Sequence, residues 1–332
     1  MASRKKFVCL LTGGILALAA VAFLSLSLGS VRFSPGELFR LLGGNGSRIS
    51  TNILLYSRLP RTAACLLAGA ALAVAGAVLQ NVLANQLASP SIIGVNAGAG
   101  LGVTVACALG ALSGFAVSAA AFLGSLITVL LIALFARSTA VSKTTVILSG
   151  VALNSMLNAA SESIAVLDPD VAMLTTEFRV GGFSSVSYPR LIPAGIMILL
   201  ALAVLFTLCN ELDVVSLGDE TAQSVGLRVG KYRILFLTLS ALLAGAAVSF
   251  AGLLGFIGLI VPHFVRRLID NESRRLLPLC AVFGGVFVCL CDLISRLAFA
   301  PYELPVGILM AVMGCPVFVL LLLRLKGGHR HA

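Results

Sequence analysis

The segment LLAGAALAVAG, residues 66–76, recurs as LLAGAAVSFAG at residues 242–252, with eight of the eleven positions identical. Its dense small residues allow helices to approach each other closely, as they do in membranes. The copies lie 176 residues apart, about half of the 332-residue chain, and each follows a basic helix start. Five predicted spans separate them, and since five is odd, the second copy crosses in the opposite direction. Such inverted repeats are typical of transporters.

The composition indicates a protein that crosses the membrane many times. The chain is 59% hydrophobic and 11% charged, with a mean hydropathy of +1.08, whereas soluble domains are about 45–50% apolar and about 25% charged. The net charge of +10 is better explained by cytoplasmic loops and anionic lipid than by nucleic acid. The eight cysteines form no CxxC pair, so we expect neither a disulfide framework nor a metal site.

The apolar runs predict an all-α polytopic membrane protein of about ten transmembrane helices. We expect these spans at residues 7–28, 60–83, 91–109, 114–136, 144–166, 191–209, 233–254, 256–268, 275–298 and 305–323. The first run is too long for the core of a signal peptide, so we interpret it as an uncleaved helix. The polar segment after residue 166 is expected to hold a short helix ending at Gly181 and Gly182.

This organisation predicts one transmembrane domain over residues 1–332. Helix 1 occupies 7–28, repeat one about 58–166, a polar inner segment 211–232, and repeat two about 233–323. With both termini inside, every lysine falls on the inner side, in agreement with the positive-inside rule. The basic residues predicted on the outer side are all arginines: Arg32, Arg40, Arg48, Arg58, Arg61, Arg179, Arg190 and Arg296.

One face of the helix at 144–166 is polar. Asn154, Asn158, Ser161 and Glu162 follow at steps of four, three and one, which places them together on a helix. Such groups are costly in lipid, so the face meets either neighbouring helices, through hydrogen bonds, or a translocation path. Asn96 is a weaker signal of the same kind. Asp292 and Arg296 are spaced for an ion pair within one helix.

No nucleotide-binding loop is present. The string GLRVGKY at 226–232 has three residues between its glycines and lacks Ser or Thr after the lysine, unlike a Walker A motif. If ATP drives this protein, another chain hydrolyses it. In the inner segment, residues 219–225 read as a short amphipathic helix between Gly218 and Gly226, with Asp219 and Glu220 in its first turn. This helix is either a docking element or a plain linker.

Five strings together resemble the membrane-spanning permeases of the FecCD type, from ABC importers for iron–siderophore, haem and vitamin B12. They are RLPRTAACLLAGAALAVAGAVLQNVLANQLASPSIIGVNAGAGLG at 58–102, ILSGVAL at 147–153, LGDETAQSVGL at 217–227, GFIGLIVPHFVRRL at 255–268 and ELPVGILMAVMGCPVFVLLL at 303–322. The resemblance implies ten helices per subunit and a second permease subunit, identical or related. It also implies two cytoplasmic ATPase subunits and an extracytoplasmic substrate-binding protein.

The resemblance also assigns roles to residues. LGDETAQSVGL is similar to the coupling helix that docks on the ATPase, and this carries over to Gly218, Asp219, Glu220, Ala222 and Gly226. The outward arginines Arg58, Arg61 and Arg296 match those that face acidic residues of the binding protein. The resemblance also implies a translocation path along the dimer axis, for which the candidate lining residues are Asn154, Asn158, Ser161, Glu162 and Asn96. An inner gate at Ser142 and Thr144 is only loosely similar, since Lys143 departs from the pattern, as does EFRVGGFSS at 177–185.

The function expected from these observations is that of a permease subunit in the bacterial cytoplasmic membrane, moving a ferric siderophore inward by alternating access. Haem and vitamin B12 permeases share the motifs and stay open as alternatives. We expect no catalytic residues, no metal site and no bound cofactor, because the partner ATPase uses ATP and Mg²⁺. An ion-coupled secondary transporter is the rival of another class, but it requires membrane-embedded ionisable groups, for which Glu162 and Asp292 are the candidates.

Overall fold

The computed structural model describes residues 2–29, 31–43, 46–135, 143–298, 300 and 302–327, and these residues form helices without any strand. The helices are α1 Ala2–Ser27, α2 Pro35–Leu42, α3 Arg48–Ile53, a π-helical turn Leu54–Arg58, α4 Leu59–Val82, α5 Val95–Ala108, α6 Gly114–Phe135, α7 Lys143–Leu167, α8 Pro169–Val180, α9 Tyr188–Thr207, α10 Cys209–Ser216, α11 Asp219–Ser224, α12 Val229–Ala251, α13 Ile257–Leu268, α14 Ser273–Leu297 and α15 Val306–Gly327.

Ten of these helices coincide with the ten predicted spans: α1, α4, α5, α6, α7, α9, α12, α13, α14 and α15. Six stretches in the described residues are long and apolar enough to cross a membrane, for example Tyr188–Thr207. Helices α5 and α13, with 14 and 12 residues, are shorter than the roughly 20 residues that a span needs. Nine of the 14 residues of α5 and six of the 12 residues of α13 are buried by other helices, and this enclosure shields their ends from lipid.

Helix α4 lies at the centre of the bundle, and most of its residues are buried. It packs antiparallel to helix α14. Arg61, at the start of α4, contacts Asp292 near the end of α14, and Asn81, near the end of α4, contacts Ser273 at the start of α14. Gly69 permits the closest approach, since a Cβ there would overlap the backbone carbonyl of Gly284. Small residues therefore set the distance between these helices, as expected in a membrane bundle.

The second copy of the repeated segment makes a matching contact. Gly245 in α12, the counterpart of Gly69, packs against Ser125 of α6, whose side chain a Cβ would overlap. The central helix of the first half thus packs on α14 of the second half, and the central helix of the second half packs on α6 of the first. This exchange of partners supports the predicted inverted repeats.

Replacing Gly69 by valine is expected to lower the thermal unfolding midpoint of the detergent-purified protein. The added side chain would separate two backbones that touch, and overpacking of this kind typically costs about 1–3 kcal/mol. Gly13, in α1, has no atom within 4 Å of a built Cβ, so Gly13→Val is the matched control. Equal midpoints for the two variants would contradict the proposed tight contact.

The polar segment before α4 contains two helices that the sequence pattern did not predict. Pro35 opens α2, and Ser34 and Glu37 form a reciprocal capping box, which satisfies free backbone N–H groups at the helix start. The hydrogen bond from the backbone of Ser34 lowers the pKa of Glu37. Phe33 and Leu38 are buried in a small cluster beneath α2. The segment is thus a folded cap on the end of the bundle predicted to face outward, the outer end.

Helix α5 begins later than predicted, at Val95 rather than residue 91. Residues Ser89–Gly94 form consecutive turns, in which the N–H groups of Ile92 and Ile93 are hydrogen-bonded to Ser89 O. Gly94 then enters the helix with φ of +94°, a left-handed conformation that favours glycine. The predicted helix began too early because the prediction relied on apolar composition, which does not distinguish this turn from a helix.

Candidate functional site

Four charged side chains form a cluster at the outer end of the bundle, here called the outer ion cluster: Arg61, Asp292, Arg296 and Glu303. Arg61 donates from Nε to Asp292 Oδ1 at 3.0 Å and from a terminal nitrogen to Glu303 Oε2 at 2.8 Å. Arg296 Nε lies 3.0 Å from Asp292 Oδ2, the ion pair expected from their spacing. Asp292 is fully buried. Its single negative charge therefore partly compensates the positive charges of both Arg61 and Arg296.

The remaining donors of the buried arginines are satisfied by the end of α1. Arg58 donates to the carbonyl oxygens of Leu26, at 2.5 Å, and Val31, and its guanidinium lies 4.4 Å from the centre of the Phe33 ring. Arg296 donates to Ser25 Oγ at 2.8 Å. The C-terminal end of a helix attracts cations. Arg58 is therefore at the unfavourable end of α4 but at the favourable end of α1.

These contacts correct the expectation of three outward-facing arginines. Arg58 and Arg296 are 5% and 8% exposed, and their polar partners lie within the chain, so they do not form a free charged rim. The side chain of Arg61 is 12% exposed, and its partner Glu303 is 41% exposed. A role in docking a binding protein stays a prediction for Arg61, and the burial of Arg58 and Arg296 argues against direct contact by these two.

A cavity of about 460 Å³ opens beside the outer ion cluster. Its lining comes from α4, from α8 and the turn after it, and from the segment that leads into α15: Arg61, Met173, Thr176, Glu177, Val180, Gly181, Gly182, Phe183, Ser184, Glu303, Leu304, Pro305 and Val306. Helix α8 confirms the short helix predicted before Gly181 and Gly182. Backbone hydrogen bonds from Gly182 N to Ala251 O, 2.8 Å, and from Leu253 N to Phe178 O, 3.0 Å, fix this helix to the end of α12.

On the polar face of α7, some residues are hydrogen-bonded to neighbouring segments and others are exposed. Asn154 donates to the carbonyl oxygens of Ser91 and Ile92, both at 2.9 Å. Ser161 is 4% exposed and shares a 2.7 Å hydrogen bond with Thr104. Ser161 thus makes a helix–helix hydrogen bond to α5, whereas Asn154 is bonded to the turn before α5. The path-lining role of Asn154 stays a prediction, and burial argues against such a role for Ser161.

Asn158 and Glu162 lie on the exposed side of α7, so their role in a path stays a prediction. Asn96 is partly buried, and its side chain donates to Leu254 O at 3.3 Å. This hydrogen bond connects α5 to the turn after α12. At the inner end of α7, Thr144 is exposed. The other predicted gate residue, Ser142, lies outside the described residues.

The short helix predicted in the inner segment is present as α11, Asp219–Ser224. Gly218 and Gly226 flank it with φ of +109° and +88°, which explains the need for glycine at both positions. Ala222 is fully buried, so its side chain does not lie on the exposed surface of α11, and its coupling role stays a prediction. Glu220 is exposed and points to no partner within the described residues.

Asp219 faces the bundle rather than the solvent. Its Oδ2 accepts a 2.6 Å hydrogen bond from Arg233 of α12, and its Oδ1 lies 3.5 Å from Nζ of Lys143 in α7. Burial alone would raise the pKa of Asp219, but the hydrogen bond and charge of Arg233, together with Lys143, outweigh it and lower the pKa. Asp219 is therefore a carboxylate held in its charged form by two cations.

Two apolar residues on either side of α11 were not selected from the sequence. Leu217 and Val225 are 66% and 70% exposed, although they lie in a polar segment on the inner side. Their signal was present in LGDETAQSVGL, where both apolar residues adjoin a glycine that bounds the helix. Together with Glu220 they form the exposed face of this element, here called the inner face.

Comparison with known proteins relates the whole chain to one family. The sequence profile of the FecCD transport family matches residues 15–324. The uncharacterized ABC transporter permease protein YvrB of Bacillus subtilis is 35% identical over 327 residues, covering 94% of this chain and 93% of that protein. The vitamin B12 import system permease protein BtuC of Citrobacter koseri is 37% identical over 316 residues, covering 93% and 92%.

Solved structures agree with this relationship. One described as an inward-facing conformation of a metal-chelate type ABC transporter superposes with a TM-score of 0.85 at 28% identity, covering 95% of this chain and 98% of that one. PsaBC from Streptococcus pneumoniae, with a TM-score of 0.54 and 15% identity, shares the fold alone. The chain therefore belongs to the FecCD transport family and is a multi-pass permease subunit of an ABC importer, in which ATP hydrolysis is the task of a separate subunit.

Proposed function

We propose that this permease moves a ferric siderophore across the bacterial cytoplasmic membrane by alternating access. It would act as a dimer with a second permease subunit, identical or related, in contact with two ATPase subunits and an extracytoplasmic binding protein. The chain itself would need no cofactor, because its task is to change shape around the cargo. The metal-chelate transporter of similar structure supports this class of cargo.

The charge of the outer cavity carries the proposal. Arg61 is already paired with Asp292 and Glu303, so its charge is largely neutralised. Glu177 also lines the cavity and forms no ion pair within the described residues. The cavity therefore holds a carboxylate in excess, which favours a neutral or cationic iron chelate over a highly anionic one.

The exposed residues suggest how the remaining parts would act. Asn158 and Glu162, on the open side of α7, would contribute weak polar contacts to a path at the dimer axis. Weak contacts suit a large cargo that must also leave. On the cytosolic side, the inner face around Glu220 would receive the ATPase, and its displacement would reorient the helices.

Labelled uptake tests the cargo. A strain lacking this permease, complemented with the wild-type gene, should accumulate iron from a neutral or cationic ferric hydroxamate. Complementation with an empty vector gives the background. No restoration of iron uptake from any siderophore, together with restored uptake of labelled vitamin B12, would refute the proposed cargo.

Vitamin B12 is the second candidate because a relative of 37% identity over nearly the full chain is a B12 import permease. Haem is the third, from the shared motifs alone. The same complemented strain separates all three, since each cargo can be labelled independently.

Replacing Glu177 by glutamine is expected to reduce uptake of a cationic ferric chelate about fivefold. Two unit charges about 4 Å apart in water interact by about 1 kcal/mol, and this energy corresponds to roughly a fivefold change. Asp170→Asn removes an exposed carboxylate from the same helix outside the cavity lining, and it should leave uptake unchanged. Equal uptake by both variants would argue against a selective role for Glu177.

A further inference from the structure

A second cavity, of about 160 Å³, lies between helices α6, α9 and α12 near the outer end of the bundle. Most of its wall is apolar and comes from Phe115, Phe122, Ala194, Met197 and Ala246. Pockets for whole small-molecule ligands usually measure about 300–1,000 Å³. This cavity is therefore too small to enclose a metal chelate, and its size suits a slender apolar group.

The mouth of the cavity carries a positive charge without a counter-ion. Arg190, in the first turn of α9, lines the cavity and is partly buried. Its guanidinium forms neither an ion pair nor a hydrogen bond within the described residues. It lies against Gly114, the first residue of α6, where a Cβ would overlap the guanidinium. A cation is unfavourable at a helix N-terminus, so this arrangement favours the presence of an anion.

The start of α6 adds hydrogen-bond donors at the same place. The first N–H groups of a helix have no partner within the helix. Ser113 accepts from two of them, Ala116 N at 3.2 Å and Val117 N at 3.0 Å. The N–H groups of Gly114 and Phe115 have no acceptor among the described residues. Together with the guanidinium of Arg190, they provide donors for one anion.

A buried hydroxyl lies one turn deeper in the cavity. Ser118 is 7% exposed, and its Oγ has no hydrogen-bond partner among the described residues. It follows Gly114 by four residues, which corresponds to roughly 6 Å along α6. A buried hydroxyl without a partner is costly, so Ser118 indicates that a ligand with an acceptor reaches this depth. Ser249, the other serine of the lining, already donates to Ala246 O at 2.8 Å.

The surface around the cavity is apolar. Leu123 of α6 and Ile196 and Leu199 of α9 are each more than half exposed, and both helices are long and apolar enough to cross a membrane. This face is therefore suited to the hydrocarbon of the bilayer. From the mouth inward, the cavity offers cationic donors, then a hydroxyl, then an apolar wall. A phospholipid presents its phosphate, ester carbonyl and acyl chain in the same order.

We propose that this cavity binds one anionic phospholipid of the outer leaflet. Its phosphate lies at Arg190 and the start of α6, an ester carbonyl accepts from Ser118, and the upper part of one acyl chain packs between Phe122 and Met197. Free phosphate would leave the apolar wall and Ser118 without a partner, so the lipid is the better occupant. The site is separate from the outer ion cluster and does not depend on the cargo.

Lipid retention tests the charge at the mouth. The full permease is transferred from nanodiscs of phosphatidylcholine, with an increasing share of phosphatidylglycerol, to native mass spectrometry. The wild type should retain one phosphatidylglycerol per chain. Arg190→Gln should weaken retention at least about fivefold, since an arginine near a lipid surface contributes that much, and Arg190→Lys should restore most of it. Arg48 is exposed at the outer end and outside the cavity, so Arg48→Gln is the matched control and should behave as the wild type. Equal retention by Arg190→Gln and the wild type would overturn the site.

A second set of measurements separates the lipid from other occupants. Ala119 is partly buried and lines the cavity, so Ala119→Phe fills it while Arg190 stays in place. This variant should lose the lipid and unfold within a few degrees of the wild type, and undiminished retention would contradict the acyl-chain position. In neutral detergent, phosphatidylglycerol should raise the thermal unfolding midpoint of the wild type, whereas inorganic phosphate should not. A rise with phosphate alone would indicate a free-anion site instead. Loss of the lipid on assembly of the complete complex would show that another subunit covers this face, and the lipid site would be wrong.

Discussion

Replacing Asp292 by asparagine is expected to be among the most destabilising single substitutions in this protein. The carboxylate is fully buried and lies 3.0 Å from a nitrogen of Arg61 and 3.0 Å from Nε of Arg296. Breaking a buried ion pair by removing one partner typically costs about 3–5 kcal/mol, because the other charge stays buried without compensation. Here two cations would lose the same partner. We expect the thermal unfolding midpoint in detergent to fall by roughly 5–15 °C.

Glu303 provides the matched control for this prediction. It binds the same Arg61 at 2.8 Å, but its side chain is 41% exposed. Exposed ion pairs contribute about 0–1 kcal/mol, so Glu303→Gln should shift the midpoint by only a few degrees. If both variants unfolded at the wild-type temperature, the arginines would have to be neutralised by their backbone contacts alone, and the structural role assigned to Asp292 would be wrong.

The positions of the helices could be predicted because apolar runs and their polar boundaries are local properties of the sequence. Pro60, for example, marks the start of α4 within one residue, since proline suits the first turn of a helix. The short helices α2, α3 and α10 were missed, because each is brief and lies in a polar segment. Serine side chains cap the starts of α2 and α3, whereas α10 has no side-chain cap and is held by the burial of Cys209, Leu212 and Val215.

The role of the arginines could not be predicted in the same way. Arg61 and Asp292 are separated by 231 positions, and nothing in the local pattern indicates that they meet. Arg58 lies at the end of α4 that is unfavourable for a cation, and the local sequence does not indicate that the carbonyl groups at the end of α1 lie beside it. Counter-ions and helix ends that are distant in the chain are visible only in the folded structure.

The inner segment shows both outcomes within a few residues. The glycines at 218 and 226 mark the limits of α11 because their backbones adopt positive φ, so the helix itself was predictable. Which of its side chains face outward depended on Arg233 and Lys143, which draw Asp219 inward. As a result the inner face consists of Leu217, Glu220 and Val225, and Asp219 is not part of it.

This assignment leads to the second prediction of large effect. Apolar side chains exposed to the cytosol are unfavourable unless a partner covers them. Truncation of a hot-spot residue near the centre of an interface costs about 2 kcal/mol or more, and a charge placed in a buried apolar contact costs still more unless it is paired. The proposed ATPase contact should therefore be highly sensitive to charge at Leu217 and Val225.

The double variant Leu217→Asp, Val225→Asp is expected to weaken association with the ATPase at least about 100-fold, since a loss of about 2.8 kcal/mol has that effect. Co-purification of the tagged permease with its ATPase, followed by a binding titration, measures the change. Leu109, 80% exposed at the outer end of α5, provides the control Leu109→Asp, which should bind the ATPase as the wild type does. The permease fold should survive in both, because none of these side chains is buried in the bundle. Undiminished association of the double variant would show that the inner face does not receive the ATPase.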